Sequence, residues 1–109
     1  MNINMTEGFM DQDKALMFKA LSDVNRLTIL ELLAKGETCG CTLIDKLPIS
    51  QPTMTYHLNF LTNSGLIKAY KDGIWKKHHV DRSKIDELIQ FLVELKSLEG
   101  TCKHDQGNI

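Results

Sequence analysis

The segment from Leu47 to Leu61 constrains the fold more than any other part of the chain. Ser50 is a favourable helix N-cap, and Pro52 fits the first helical turn, where its missing N–H costs nothing, so a helix begins here. Apolar residues recur at i, i+4 and i+7 and predict one buried stripe, formed by Met54, Leu58 and Leu61.

The opposite face of this helix carries no charge. Its side chains are short or planar donors and acceptors, namely Gln51, Thr53, Thr55, Tyr56, His57 and Asn59. Such side chains contact base edges and phosphate oxygens, whereas a helix face that only meets water usually carries Lys and Glu. We interpret the segment as a DNA recognition helix with Ser50 at its start; the alternative is a polar surface helix.

Positive charge is concentrated around this helix. The 109 residues carry a formal net charge of -1, but residues 46–80 hold five lysines against one acidic residue, together with three of the four histidines. Local basic character favours binding to a polyanion whatever the total charge. A chain this short that is 42% hydrophobic can bury one modest core, so we expect a single domain.

Three further helices are predicted before the recognition helix. The first spans Met10 to Leu21, and the second, capped by Ser22-Asp23 and ended by Gly36, spans Val24 to Ala34 with Leu27, Leu30 and Leu33 or Ile29 toward the core. A short third helix begins at Thr42 and finishes near Leu47, because Pro48 disfavours helical geometry in the residue before it. A short helix, a turn and a second helix make a helix-turn-helix.

After Gly65 the pattern changes to strands. The segments Leu66–Lys71 and Ile74–Val80 flank Asp72-Gly73, a dipeptide that favours a type I′ turn, and predict a β-hairpin. A hairpin directly after a recognition helix is a wing. Its lysines are placed to bind phosphates, and we expect DNA contacts from Lys71, Lys76 and Lys77. An ordinary charged hairpin is the alternative.

The last helix, capped by Ser83, predicts a dimer. Its apolar stripe is too wide for a core of this size to cover, and comprises Ile85, Leu88, Ile89, Leu92, Val93 and Leu95. We expect this helix and the first to pack across a two-fold axis, so that a homodimer contacts two half-sites of double-stranded operator DNA. The predicted fold is mainly α with one β-hairpin, a winged helix-turn-helix. It has a flexible arm (1–9), a DNA-binding and dimerisation domain (10–98) and a flexible tail (99–109).

Two thiols lie directly before the predicted third helix. If both were helical, Cys39 and Cys41 would point apart, but extended backbone at a helix start and a permissive Gly40 allow both sulfurs to converge. A helix N-terminus lowers the pKa of a thiol, and thiolates bind soft ions. An ion bound there would distort the supporting helix and move the recognition helix. The alternative is two small residues without a ligand.

These residues resemble the ArsR/SmtB winged-helix repressors, most closely their arsenic-responsive branch. The resemblance runs from about Ala15 to Val80. It rests on the segment Phe18 to Leu27, on Ser50-Gln51-Pro52-Thr53 with His57-Leu58, and on the pair Cys39 and Cys41. It implies a homodimer that binds its operator without effector and leaves when a metal or metalloid binds.

The resemblance implies trivalent arsenic or antimony as effector, and no catalytic cofactor. The family's segment has Pro where this chain has Val24, and the arsenic branch often has a third Cys where this chain has Ile44. Trivalent arsenic prefers three thiolates, as a soft acceptor should. Cys102 is the only other thiol and would complete the site from its own or the partner subunit; alternatively it is a free thiol. The alternatives are zinc bound to Cys39, Cys41 and a His such as His104, or another soft metal such as cadmium sensed by a repressor of the same fold.

Three other classes of protein are alternatives to a metal-sensing repressor. A redox-sensing repressor of the same fold would form a disulfide from Cys39 or Cys41 to Cys102. A thiol enzyme is not expected, because the sequence has no Gly-rich phosphate loop or nucleophile–base arrangement. A winged helix that binds only protein predicts no salt-dependent DNA affinity. No apolar run approaches the roughly 20 residues that span a bilayer, so we expect a cytoplasmic protein without membrane contact.

Overall fold

The computed structural model describes residues 11–38 and 40–100. Within them the chain forms five helices and one antiparallel hairpin. In order these are α1 (Gln12–Leu21), α2 (Val24–Ala34), α3 (Gly40–Ile44), α4 (Gln51–Ser64), β1 (Ile67–Asp72), β2 (Trp75–Val80) and α5 (Arg82–Ser97). This order confirms the prediction of a mainly helical winged helix-turn-helix. The predicted arm (1–9), Met10 and residues 101–109 of the predicted tail lie outside the described residues.

Three helices begin at an aspartate cap. Asp11 Oδ1 accepts a hydrogen bond from Lys14 N (3.0 Å), and Asp23 Oδ1 accepts from Asn25 N (2.8 Å). Asp81 Oδ1 accepts from Ser83 N (3.1 Å). The prediction that Ser83 caps the last helix is therefore wrong by two residues, because the carboxylate of Asp81 takes that role and Ser83 lies in the first turn.

The supporting helix α3 begins and ends earlier than predicted. It spans Gly40–Ile44 and gives way to a turn in which Lys46 N donates to Leu43 O (3.0 Å). Leu43 of this helix is fully buried, and Leu47, which follows the helix, is also buried. The helix-turn-helix is thus fixed to the core on both sides of its turn.

The core is aliphatic and lies between the helices and the base of the hairpin. It comprises Met17, Ala20, Ile29, Leu33, Leu43, Leu47, Met54, Leu58, Leu61, Leu66, Ile67 and Leu88. The prediction that Leu27 faces it is wrong, since this side chain is 46% exposed. The buried stripe of α2 is instead Arg26, Ile29 and Leu33, which recur at i, i+3 and i+7.

The hairpin turn differs from the prediction by one residue. Strand pairing runs from Ile67 opposite Val80 to Asp72 opposite Trp75, so the two-residue loop is Gly73-Ile74 and not Asp72-Gly73. Gly73 has φ 66°, and Ile74 does not have a positive φ. A type I′ turn needs positive φ at both positions, so the turn is of the II′ kind, which takes Gly first. Asp81 N donates to Leu66 O (2.9 Å) and closes the base of the hairpin.

Across the described residues, the helices are too short or too polar to cross a membrane.

Candidate nucleic-acid interface

The outer face of α4 is polar and exposed. Ser50 Oγ accepts from Thr53 N (3.3 Å) and donates to Thr53 Oγ1 (3.0 Å), which fixes the start of the helix. The predicted stripe of Met54, Leu58 and Leu61 is buried, which confirms its direction. The side chains left in solvent beyond Ser50 are Gln51, Thr55, Tyr56 and Asn59, with Thr53 half-buried beside them. These groups are free to meet a base edge or a phosphate.

His57 does not lie on this face. It is only 5% exposed, and its Nδ1 lies 3.0 Å from Arg26 Nη1. A guanidinium only donates, so Nδ1 accepts and the ring proton lies on Nε2, 3.9 Å from Asp23 Oδ1. The prediction that His57 faces outward to DNA is wrong because His57 follows Met54 by three residues and precedes Leu61 by four. This places it on the buried stripe.

Arg26 is a positioning residue that the sequence analysis missed. It is 6% exposed, and its Nε donates to Ala20 O (2.9 Å) at the end of α1. Its guanidinium Cζ lies 4.1 Å from the centroid of the Phe60 ring on α4. With the contact to His57, one side chain links α1, α2 and α4 and orients the recognition helix. Its spacing from Ile29 and Leu33 was the signal that could have identified it.

Asp23 completes this cluster. Partial burial acts to raise its pKa, but the backbone N–H groups of Arg26 and Asn25 donate to the carboxylate, and the nearby guanidinium of Arg26 adds positive charge. The pKa of Asp23 is therefore held below its ordinary value, and the group stays ionised at neutral pH.

The three predicted wing lysines are not equivalent. Lys71 and Lys76 lie directly opposite each other in the strand register, and among the described residues neither forms an ion pair. Lys77 Nζ instead lies 2.8 Å from Asp72 Oδ2. The side chains available to a phosphate are therefore Lys71 and Lys76, while Lys77 already has an anionic partner. This ion pair makes Lys77 a weaker candidate for a DNA contact than Lys71 or Lys76.

His78 connects the hairpin to the segment before α3. Its backbone N–H donates to Thr38 O (2.9 Å), and its side chain is 5% exposed. Burial, reinforced by the charge of Lys76, lowers the pKa of His78, and its Nδ1 has no hydrogen-bond partner among the described residues. His79 points the other way, is exposed and contacts the Tyr70 ring at 5.3 Å between centroids.

The predicted thiol ligands are not placed by the structure. Cys39 and Cys102 lie outside the described residues, and for Cys41 the description covers its place in α3 but not its side chain. Among the side chains that are described, no group of three or more His, Cys, Asp or Glu is arranged to hold a metal ion. That set does not include the thiols, so the thiolate site stays a prediction.

Comparison with known proteins identifies the family. Residues 23–69 match the family model described as bacterial regulatory protein, arsR family. Over 91 residues the chain is 33% identical to an arsenical resistance operon repressor of Staphylococcus aureus, a match covering 84% of this chain and 88% of the relative. The chain belongs to the ArsR family.

Other relatives and a solved structure match most of the chain. An HTH-type transcriptional regulator of Methanocaldococcus jannaschii is 43% identical over 82 residues, covering 74% of this chain and 92% of its own. A cadmium resistance regulatory protein of Listeria innocua is 35% identical over 80 residues, covering 72% and 67%. The solved structure of an ArsR-like transcriptional regulator from Rhodococcus covers 79% of this chain and 81% of its own, with TM-score 0.73 and 27% identity. The chain is thus an ArsR-family transcriptional regulator, in a family of DNA-binding proteins and not of enzymes.

Proposed function

We propose that this ArsR-family protein is a cytoplasmic transcriptional repressor. As a homodimer it binds double-stranded operator DNA, and it leaves when trivalent arsenic or antimony binds cysteine thiolates. The observation that carries the DNA-binding part is the uncharged polar outer face of α4, held outward by a buried opposite stripe.

The proposed DNA contacts divide into two kinds. Gln51, Thr55, Tyr56 and Asn59 enter the major groove, where amide and hydroxyl groups distinguish base pairs by their donor and acceptor pattern. Lys71 and Lys76 bind phosphates and set the position of the protein without specifying sequence.

The proposed dimer covers the exposed face of α5. Ile89, Leu92, Val93 and Leu95 are each about half exposed, at 51–52%. A contiguous apolar row of this kind marks an interaction site, and a second copy of the same helix is its self-complementary partner. Helix α1 lies beside α5 through Phe18 and Phe91, whose ring centroids are 5.9 Å apart, which supports a shared interface.

The proposed release begins at Cys39 and Cys41, with Cys102 as third ligand. Thr38, the residue before Cys39, accepts the backbone hydrogen bond of His78 on the hairpin, and Leu43 of α3 is fully buried in the same core as the inner stripe of α4. An ion that pulls the two thiolates together would therefore strain the hairpin and the support of α4 at once. The ion shifts the equilibrium between the DNA-binding conformation and the released one only because the released conformation binds the ion more tightly.

The arsenic assignment is supported by the relatives named for arsenical resistance. Cadmium and mercury resistance regulators are also among the relatives, at 35% and 31% identity. A repressor that responds to a soft divalent ion such as cadmium is therefore the second candidate, with the same thiols as ligands.

Fluorescence anisotropy tests the DNA-binding part. The reduced protein is titrated into labelled DNA from its own upstream promoter and into a scrambled duplex. Gln51→Ala should weaken promoter binding by about 1–3 kcal/mol and leave the scrambled duplex nearly unaffected, because it loses a base contact. Gln12→Ala, the same truncation at an exposed position on α1, is the control. Equal losses on both duplexes would overturn the proposed role of Gln51, and no salt-dependent binding by the wild type would overturn the function.

A further inference from the structure

The tip of the hairpin exposes two adjacent large apolar side chains. Ile74 is 91% exposed and Trp75 is 54% exposed. Among the described residues, no other large hydrophobic side chain is as exposed as Ile74. Gly73, with φ 66°, turns the chain so that Ile74 stands at the apex of the hairpin. We call residues 71–76 the wing tip.

The wing tip also carries unfavourable charge. Lys71 and Lys76 face each other across the two strands, and like charges directly opposite destabilise a strand pair. The other two wing lysines are neutralised, since Lys77 pairs with Asp72 and Lys68 Nζ lies 3.5 Å from Asp81 Oδ2. Two features that are costly in water thus occur at one place: an exposed apolar apex, and a lysine couple that has no ion-pair partner in the described part of the chain. A partner that relieves both has an apolar slot between two rows of negative charge.

We propose that the wing tip inserts Ile74, followed by Trp75, as an apolar wedge into the minor groove of the operator, while Lys71 and Lys76 bind phosphates beside it. The minor groove has negative walls and stacked bases at its floor, and apolar wedges there partly unstack a base step and kink the duplex. This inference rests on the proposed function, and it adds that binding of the protein bends the operator DNA.

The fold holds the wing tip firmly enough for this role. Leu66 and Ile67 at the start of the hairpin are buried in the core with Leu61 of α4. Asp81 N and Leu66 O close the base of the hairpin at 2.9 Å. A recognition helix seated in the major groove therefore carries the wing tip to a fixed place on the adjacent groove. The wedge favours an easily unstacked pyrimidine–purine step at that place.

Energy transfer between dyes on the two ends of the promoter duplex tests the wedge, alongside anisotropy at several salt concentrations. The wild type should change the end-to-end distance on binding. Ile74→Ser should abolish most of this change and weaken promoter binding about tenfold, with an unchanged salt slope because no charge is lost. Lys76→Ala should instead reduce the salt slope by about one. Val24→Ser alters a 73% exposed side chain on α2 and is the matched control.

The outcomes separate this inference from the proposed function. If the wild type binds with a steep salt dependence but Ile74→Ser binds and bends the duplex equally well, the wedge is overturned and the repressor stands. If the wild type shows no salt-dependent binding to DNA, the proposed repressor function is overturned, and the wedge that rests on it is overturned as well. Loss of binding to vesicles of anionic phospholipid in Ile74→Ser, with DNA binding unchanged, would assign the wing tip to a membrane surface and also overturn the wedge.

Discussion

Arg26 shows how one buried side chain can set the position of a recognition helix. Its guanidinium contacts the carbonyl of Ala20, the ring nitrogen of His57 and the face of Phe60. A buried charge is tolerated only when its donors are satisfied, and here the partners come from two other helices, α1 and α4. Changing this residue is therefore expected to affect DNA binding without touching the outer face of α4.

Arg26→Lys should lower the free energy of unfolding by about 1–3 kcal/mol, because an ammonium cannot reach all the acceptors that the guanidinium fork satisfies. Urea denaturation measures the change. Arg82→Lys makes the same substitution at an exposed position on α5 and should change the free energy by less than about 0.5 kcal/mol. Similar values for both variants would contradict the proposed role of Arg26.

His78 should make stability depend on pH. Burial lowers its pKa in the folded protein, while in the unfolded chain it titrates near the ordinary value of 6.5. Below pH 6.5 the unfolded state binds a proton that the folded state does not, so the free energy of unfolding is greatest above that pH and falls as the pH decreases. Urea denaturation between pH 7.5 and 5 should show a smaller fall in His78→Gln.

His79→Gln is the control for this pH dependence, since His79 is exposed on the opposite face of the same strand. It should retain the wild-type fall. An identical pH profile for wild type and His78→Gln would show that His78 is not the titrating group.

The outcome at single residues shows what local patterns can and cannot predict. Met54, Leu58 and Leu61 were correctly placed in the core because helical period alone decides their direction. His57 has a helical spacing from Met54 and Leu61 that fits the same stripe, but its polar side chain suggested the outer face. Its spacing places it on the buried stripe, and the tertiary contact with Arg26, thirty-one positions away along the chain, gives its ring nitrogen a partner there. Long-range polar pairing of this kind has no signature in a single sequence.

At the scale of elements, helix ends follow from short-range chemistry. The helix α2 has the bounds that its Asp23 cap and following glycine predict. The hairpin turn lies one residue later than predicted because the register pairs Ile67 with Val80 and Ala69 with His78, which leaves Gly73-Ile74 as the loop. A type II′ turn fits this loop, since Gly73 takes the positive φ of the first position without strain.

Gly73→Ala should destabilise the hairpin by about 1–2 kcal/mol, since an L-residue at positive φ is strained. An added Cβ would meet nothing within 4 Å, so the cost is conformational and not steric. Fluorescence of Trp75, the one tryptophan of the chain, reports unfolding at the hairpin itself. Gly73→Asn should cost less because Asn tolerates this conformation; an equal or larger cost for Asn would exclude positive φ as the cause.

At the scale of the whole molecule, the exposed row on α5 predicts a dimer. Leu92→Glu places a charge in that row and should weaken dimerisation by about 2 kcal/mol or more, roughly thirtyfold, as for a central interface residue. Sedimentation equilibrium measures it. Gln90→Glu adds the same charge at a polar exposed position of α5 and should leave the dimer intact. A wild-type chain that sediments as a monomer at micromolar concentration would contradict the predicted interface.

The repressor account is tested most directly by titrating the preformed complex of reduced protein and its promoter DNA with arsenite, antimonite, cadmium and zinc in turn. The account predicts that arsenite or antimonite releases the DNA from the wild type, and that Cys39→Ser and Cys41→Ser bind DNA normally but are not released. Release by cadmium alone would show that the effector is a soft divalent ion and not a metalloid. Tight DNA binding that none of the four alters would contradict release through the thiolates.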